Sequence, residues 1–189
     1  MKKLIVLILC VALALTASAA AEENLLETLS GLAWTFCSGV GGWSTDLQIQ
    51  PDGSFTGDFH DSEMGDCAEA YPYGTVYFCA FSGQMSLRER VDENTWKIVI
   101  DRLDLDQEEE FIAEGIRYVP TAPYGVSEGD EMLLYRPGTP VSVLSEDMLL
   151  WAHVLDQETP PLALENWFLC SEKNDSGFVG YQPVSFPDL

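Results

Sequence analysis

His60 stands in the run "GDFHDSEMGDC" (57–67), among Asp58, Asp61, Glu63 and Asp66 and just ahead of Cys67; the chain holds one other histidine, His153. An imidazole beside carboxylates could do two kinds of chemistry. It could ligate a divalent metal such as zinc or manganese, or it could share a proton with a carboxylate in acid–base catalysis. Paired carboxylates also serve glycosidases, but those need a set separation and an aromatic-lined cleft. Ser62 cannot relay a proton to His60 by sequence adjacency, and no G-x-S-x-G nucleophile motif is present. The competing reading is a polar strand face, because one histidine among several acids is expected in so acidic a chain.

The elements that must hold these residues decide how many of them can meet. In "WSTDLQI", Trp43, Thr45, Leu47 and Ile49 alternate with Ser44, Asp46 and Gln48, the period of a half-buried strand. "QPDGS" is a turn with Gly53 in the left-handed position, and "SFTGDFH" resumes the alternation. A one-residue bulge at Gly53 sets Ile49 against Phe55, Leu47 against Gly57 and Thr45 against Phe59, which matches the apolar faces. The opposite face then pairs Gln48 with Thr56, Asp46 with Asp58 and Ser44 with His60. Two carboxylates directly opposed cost stability unless water, a cation or a charged His60 compensates. The candidate ligand or cation set is therefore Asp46, Asp58 and His60, with Asp61 and Glu63 just past the strand. No catalytic residue and no cofactor is implied.

Further strands are expected at "GTVYFCAF", "QMSLRERV", "NTWKIVID", "GIRYV" and "EMLLYR", with "SG", "DEN" and "YGVSEGD" as breaks. "DQEEE" reads as a solvated turn without the spacing of a calcium loop. Residues 22–31 predict a short helix with Leu25, Leu26 and Leu29 inward. A second helix begins at Ser145, with Glu146 and Asp147 in its first turn, Met148, Trp151, Ala152 and Leu155 on one face, and "ETPP" as its end. Two terminal strands fit "ENWFLC" and "GFVGYQ". Trp43, Tyr71, Tyr73 and Trp96, with Trp34, Tyr77 and Tyr124, either line a pocket or fill a core.

The first residues, "MKKLIVLILCVALALTASAAAEE", have the basic start, apolar run and small-residue cleavage site of a Sec signal peptide, residues 1–21. Leu9 ahead of Cys10 does not suit a lipobox, so a lipoprotein is not expected. Residues 22–189 then form one domain, secreted, soluble and off the membrane once the signal is removed. Loss of Lys2 and Lys3 from a chain of net charge −22 would leave −24. That field repels nucleic acid and anionic lipid. Cys37, Cys67, Cys79 and Cys170 remain, an even count that suggests two disulfides in an exported chain. The preferred pairing is Cys67–Cys79 and Cys37–Cys170, and three connectivities are open.

Short antiparallel strands with a late helix give a mainly β fold, a closed barrel, with a two-sheet sandwich as the alternative. The order of elements, with "GLAW" opening the first strand, resembles the lipocalin-like (calycin) barrels, although Gly31 and Trp34 lie one residue further apart than that family's Gly-x-Trp. The strings "DGSFTGDFHDSEMGD", "YPYGTVYFCAFSG", "EGIRYVPTAPYG" and "LYRPG" are similar to those of uncharacterised exported proteins of gut clostridia-type bacteria. The resemblance implies an exported, coherent fold and assigns no activity. The leading expectation is a secreted, non-enzymatic barrel that binds a small apolar or glycan-like ligand or a protein partner. The rivals are a metal-dependent hydrolase centred on Asp46, Asp58 and His60, and an acidic surface or adhesion protein.

Overall fold

The computed structural model describes residues 25–183 of the chain; the expected signal peptide falls outside them. Helix α1 spans residues 25–30. It is followed by β1 (Ala33–Cys37), β2 (Trp43–Ile49), β3 (Ser54–Glu63), β4 (Thr75–Arg90) and β5 (Thr95–Leu105). A small hairpin, β6 (Phe111–Ala113) and β7 (Ile116–Pro120), precedes β8 (Glu131–Tyr135). A 3-10 turn (Val141–Val143), α2 (Glu146–Trp151), β9 (Trp167–Ser171) and β10 (Ser176–Tyr181) complete the order.

Eight strands close into an antiparallel barrel in the order β1-β2-β3-β4-β5-β8-β9-β10, with β10 returning to β1 and β3 paired to β4. Closure leaves none of the eight as a free edge along its whole length and settles the barrel against the sandwich. The β6–β7 hairpin is an appendage: β7 runs parallel to the start of β4, from Thr75↔Arg117 to Phe78↔Pro120. The β2–β3 register is the one the turn demanded, with Gly53 at φ 80° and its N–H donating to the Gln50 carbonyl.

Large side chains fill the barrel. Trp34, Phe55, Phe59 and Phe178 are buried with Ile49, Met85, Ile98, Ile100 and Met132 in one core. Helix α1 plugs one end: Leu25, Leu26 and Leu29 are buried as expected, and the Trp34 indole N–H donates to the Leu29 carbonyl at 3.1 Å. Two glycines let the aromatic rings fit. Phe55 faces Gly83 and Phe81 faces Gly57 across the β3–β4 ladder, and a Cβ on Gly83 or Gly57 would lie 2.3 or 2.4 Å from the facing ring. Here the sequence expectation is corrected. Ser82-Gly83 is not a break; β4 is a single strand of 16 residues, and the glycine is a seat for Phe55.

A second cluster lies outside the wall, where α2 covers β9 and β10 with Met148, Val154, Leu164, Phe168, Cys170 and Val179. Ser145 caps α2 by accepting from the Met148 N–H. The helix ends earlier than "ETPP". The Val154 N–H reaches the Leu149 carbonyl, the His153 N–H reaches Leu150, and His153 takes φ 55°. This is a Schellman stop with histidine in the usual glycine position. Leu155 therefore leaves the helix face and is exposed.

The expected disulfides are not formed: Cys37, Cys67, Cys79 and Cys170 are all free thiols. Continuing the β1–β10 ladder places Cys37 opposite Gly177, whose partner on the other side is Cys170. A whole strand thus separates the pair, about 10 Å, beyond the ~7 Å limit for a disulfide. Cys79 is turned into the core, whereas Cys67 is exposed beside Asp66, whose carbonyl accepts from Thr75 Oγ1. From Thr75 to Cys79 is four strand residues, about 13 Å. Burial is the main force pushing the Cys79 thiol up to about 11 and that of Cys170 up to about 12. Iodoacetamide should therefore label Cys67 readily in the native protein and spare Cys79 and Cys170. Denaturation without reductant should expose four thiols among the described residues; recovery of none would restore the disulfides.

Candidate functional site

Asp46 and Asp58 are directly opposed, Ser44 faces His60, and Trp43 faces Asp61. Thr45, Leu47 and Phe59 point into the core, so Asp46, Asp58 and His60 share the outer face of the wall. Ser44 Oγ donates to Asp46 at 2.7 Å and lies 3.3 Å from His60 Nδ1. With the hydroxyl proton given to Asp46, His60 donates from Nδ1 to the serine oxygen. Asp61 and Glu63 turn to other work: Asp61 accepts from the Tyr124 hydroxyl at 3.0 Å, and Glu63 accepts from the Gly65 N–H. Among the described residues no three His, Cys, Asp or Glu side chains are grouped to hold a metal ion. Asp46, Asp58 and His60 thus share one face without forming such a group.

Partial burial raises the Asp58 carboxyl above its ordinary value, repulsion from Asp46 adds to this, and His60 opposes it. A carboxylate whose folded pKa is raised costs stability when ionised, and the cost is relieved as pH falls through that pKa. Asp58→Asn should therefore stabilise the protein at pH 7 by roughly 0.2–1 kcal/mol, the scale of cross-strand pairs. The gain should vanish below pH 3.8, the carboxyl's reference value. Urea melts of both proteins at the two pH values check this, and a loss of stability at pH 7 would contradict it.

A groove of about 620 Å³ touches this face, lined by Thr35, Asp46, Thr56, Asp58 and Tyr181 among others. It spreads over five neighbouring strands around the opposed Asp46–Asp58 pair, with Trp34, Leu47, Gln48 and Tyr181 as its larger lining residues. The barrel mouth opposite α1 is different. Loop 121–130 crosses it, with Pro123, Val126 and Asp130 buried. The fully buried Thr45 hydroxyl donates to the Tyr124 carbonyl at 2.8 Å and pins the loop. Gly125 sits at φ 81° where a Cβ would come within 2.6 Å of Phe36, so the loop can lie this close only with glycine.

Above that floor opens a bowl of about 530 Å³, lined by Phe36, Trp43, Tyr124 and Trp151 with Asp130 and Asp175. Its rings stand as walls and not as a stack. Trp43 meets Tyr124 at 76° and Trp151 at 62°, and Phe36 lies 4.8 and 5.0 Å from the two tryptophans. Carboxylates hold two of the walls: the Trp151 indole N–H donates to Asp175 at 2.7 Å, and the Tyr124 hydroxyl donates to Asp61. Burial first, then that bond to Asp61, pushes the Tyr124 phenol up, which keeps it a donor. Among the described residues no histidine, cysteine or basic side chain lines the bowl. It offers aromatic and carboxylate surfaces for binding.

Of the seven aromatics singled out from the sequence, Trp43 and Tyr124 belong to this bowl. Tyr71 lies under the Arg117 guanidinium, and Tyr73 packs beside Gly115, both against the β6–β7 appendage. Trp96 packs on Trp167. The row Trp34↔Gly180↔Trp167 puts that pair at the end that α1 plugs. Phe36 and Trp151 were missed. Phe36 shares the inward side of β1 with Trp34, and that alternation was a usable signal. Trp151 read only as helix core, because nothing local tells that α2 ends there and leaves its last side chain at the mouth. No protein-family model, curated protein or solved structure matches the chain.

Proposed function

We propose that the protein is an exported, non-enzymatic β-barrel that binds a small ligand in the aromatic bowl at its mouth. The observation that carries this is the bowl: four aromatic side chains around about 530 Å³, a volume suited to a small molecule. Calycin-style binding inside the barrel does not fit, since Trp34, Phe55, Phe59 and Phe178 occupy the interior. Export rests on the leader-like first residues, and the acidic composition disfavours nucleic acid and anionic membranes as partners. The test is a fluorescence titration with choline, p-cresol and methyl β-D-glucopyranoside, three probes that can lie on an aromatic face. At least one should give a saturable change that Trp43→Leu abolishes. No saturable change with any probe, or one that survives the substitution, would overturn the reading.

A further inference from the structure

We infer that the ligand of this bowl is an organic ammonium cation; the inference rests on the proposed binding site and adds its chemistry. Trp43, Tyr124 and Trp151 line one volume with their rings inclined at 62–76° along the Tyr124–Trp43–Trp151 series, so they border it without stacking on one another. An aromatic face is the negative end of the ring quadrupole and attracts an alkylated ammonium group, which is weakly hydrated and fits against carbon. The charged groups in the lining are Asp130 and Asp175, both acidic, with Asp61 behind Tyr124. Asp130 accepts from the Ser127 N–H and Asp175 from the Trp151 indole, so each carboxylate is fixed in place beside the rings. The turn that carries Asp175 also carries exposed Glu172 and Lys173, which offset one another. A neutral sugar would leave the bowl's charge uncompensated, and an anion would be repelled by it and by the chain's net charge of −22.

Asp175 allows the charge to be removed without moving the wall. It takes φ 46°, a conformation that asparagine tolerates well, and an asparagine carbonyl can still accept the Trp151 indole proton. The experiment compares choline with its uncharged carbon isostere, 3,3-dimethyl-1-butanol, on wild type and Asp175→Asn by calorimetry at two salt concentrations. Choline should bind at least about tenfold more tightly than the isostere. Its affinity should fall severalfold in Asp175→Asn and with added salt, while the isostere stays unchanged in both. Equal binding of the two probes, or binding of the isostere or of methyl β-D-glucopyranoside alone, would overturn the ammonium assignment and leave the bowl as a site. Binding of none of these three nor of p-cresol would overturn both.

Discussion

Trp34→Ala should cost about 3–5 kcal/mol, the range for truncating a buried aromatic, and so remove much of the stability of a domain this size. Trp34 is 1% exposed, its indole is the donor to the Leu29 carbonyl, and its ring lies over Gly180. Truncation would open a void, unplug α1 from the barrel and leave the Leu29 carbonyl without its partner. Equilibrium urea unfolding should show a lower midpoint at nearly unchanged slope. A loss below about 1 kcal/mol, the level of an ordinary surface change, would mean that this end of the barrel is not packed as described.

Trp151→Ala should have its largest effect on binding. The side chain forms one wall of the bowl, lies 5.0 Å from Phe36 and 6.1 Å from Trp43, and is tied to Asp175. Its removal takes away a ring face and the bond that orients the Asp175 carboxylate. Choline affinity should fall by at least about tenfold, the effect of losing one good aromatic contact to a cation. Trp96→Ala provides the control. Trp96 lies against Trp167 at the plugged end, so its loss should lower stability without changing affinity in the folded protein. Equal affinity in wild type and Trp151→Ala would place the site elsewhere.

The β2–β3 hairpin was legible in full because two independent constraints coincide there. Pro51-Asp52-Gly53 fixes the loop, and strict alternation fixes which face is buried, so a slip of one residue would expose Leu47 and Phe59. Barrel closure was legible from the number and order of strands. Ser82-Gly83 was read as a break because the residue types of a turn are also those of a seat for a ring from another strand. The cysteines misled for a related reason: an even count says nothing of which face each thiol takes, and β10 lies between Cys37 and Cys170. The bowl was the hardest to read. It gathers β1, β2, the 121–130 loop, α2 and the β9–β10 turn, and only folding brings Phe36, Trp43, Tyr124 and Trp151 within reach of one another.

The "GDFHDSEMGDC" run divides along the same lines. Its Asp58 and His60 stay on the outer wall opposite Asp46 and Ser44, while Asp61 bonds to Tyr124 at the bowl. The residue that looked like a marginal metal ligand is thus a positioning residue for an aromatic wall.

The central claim is that the barrel is filled and that ligand binds at its mouth. The most direct measurement uses the five tryptophan indoles as reporters. In a ¹H–¹⁵N spectrum titrated with choline, the Trp43 and Trp151 indole signals should move together and saturate. Those of Trp34, Trp96 and Trp167, inside the barrel or at its plugged end, should stay in place. Saturable shifts at Trp34 or Trp96, with Trp43 and Trp151 unmoved, would contradict the account.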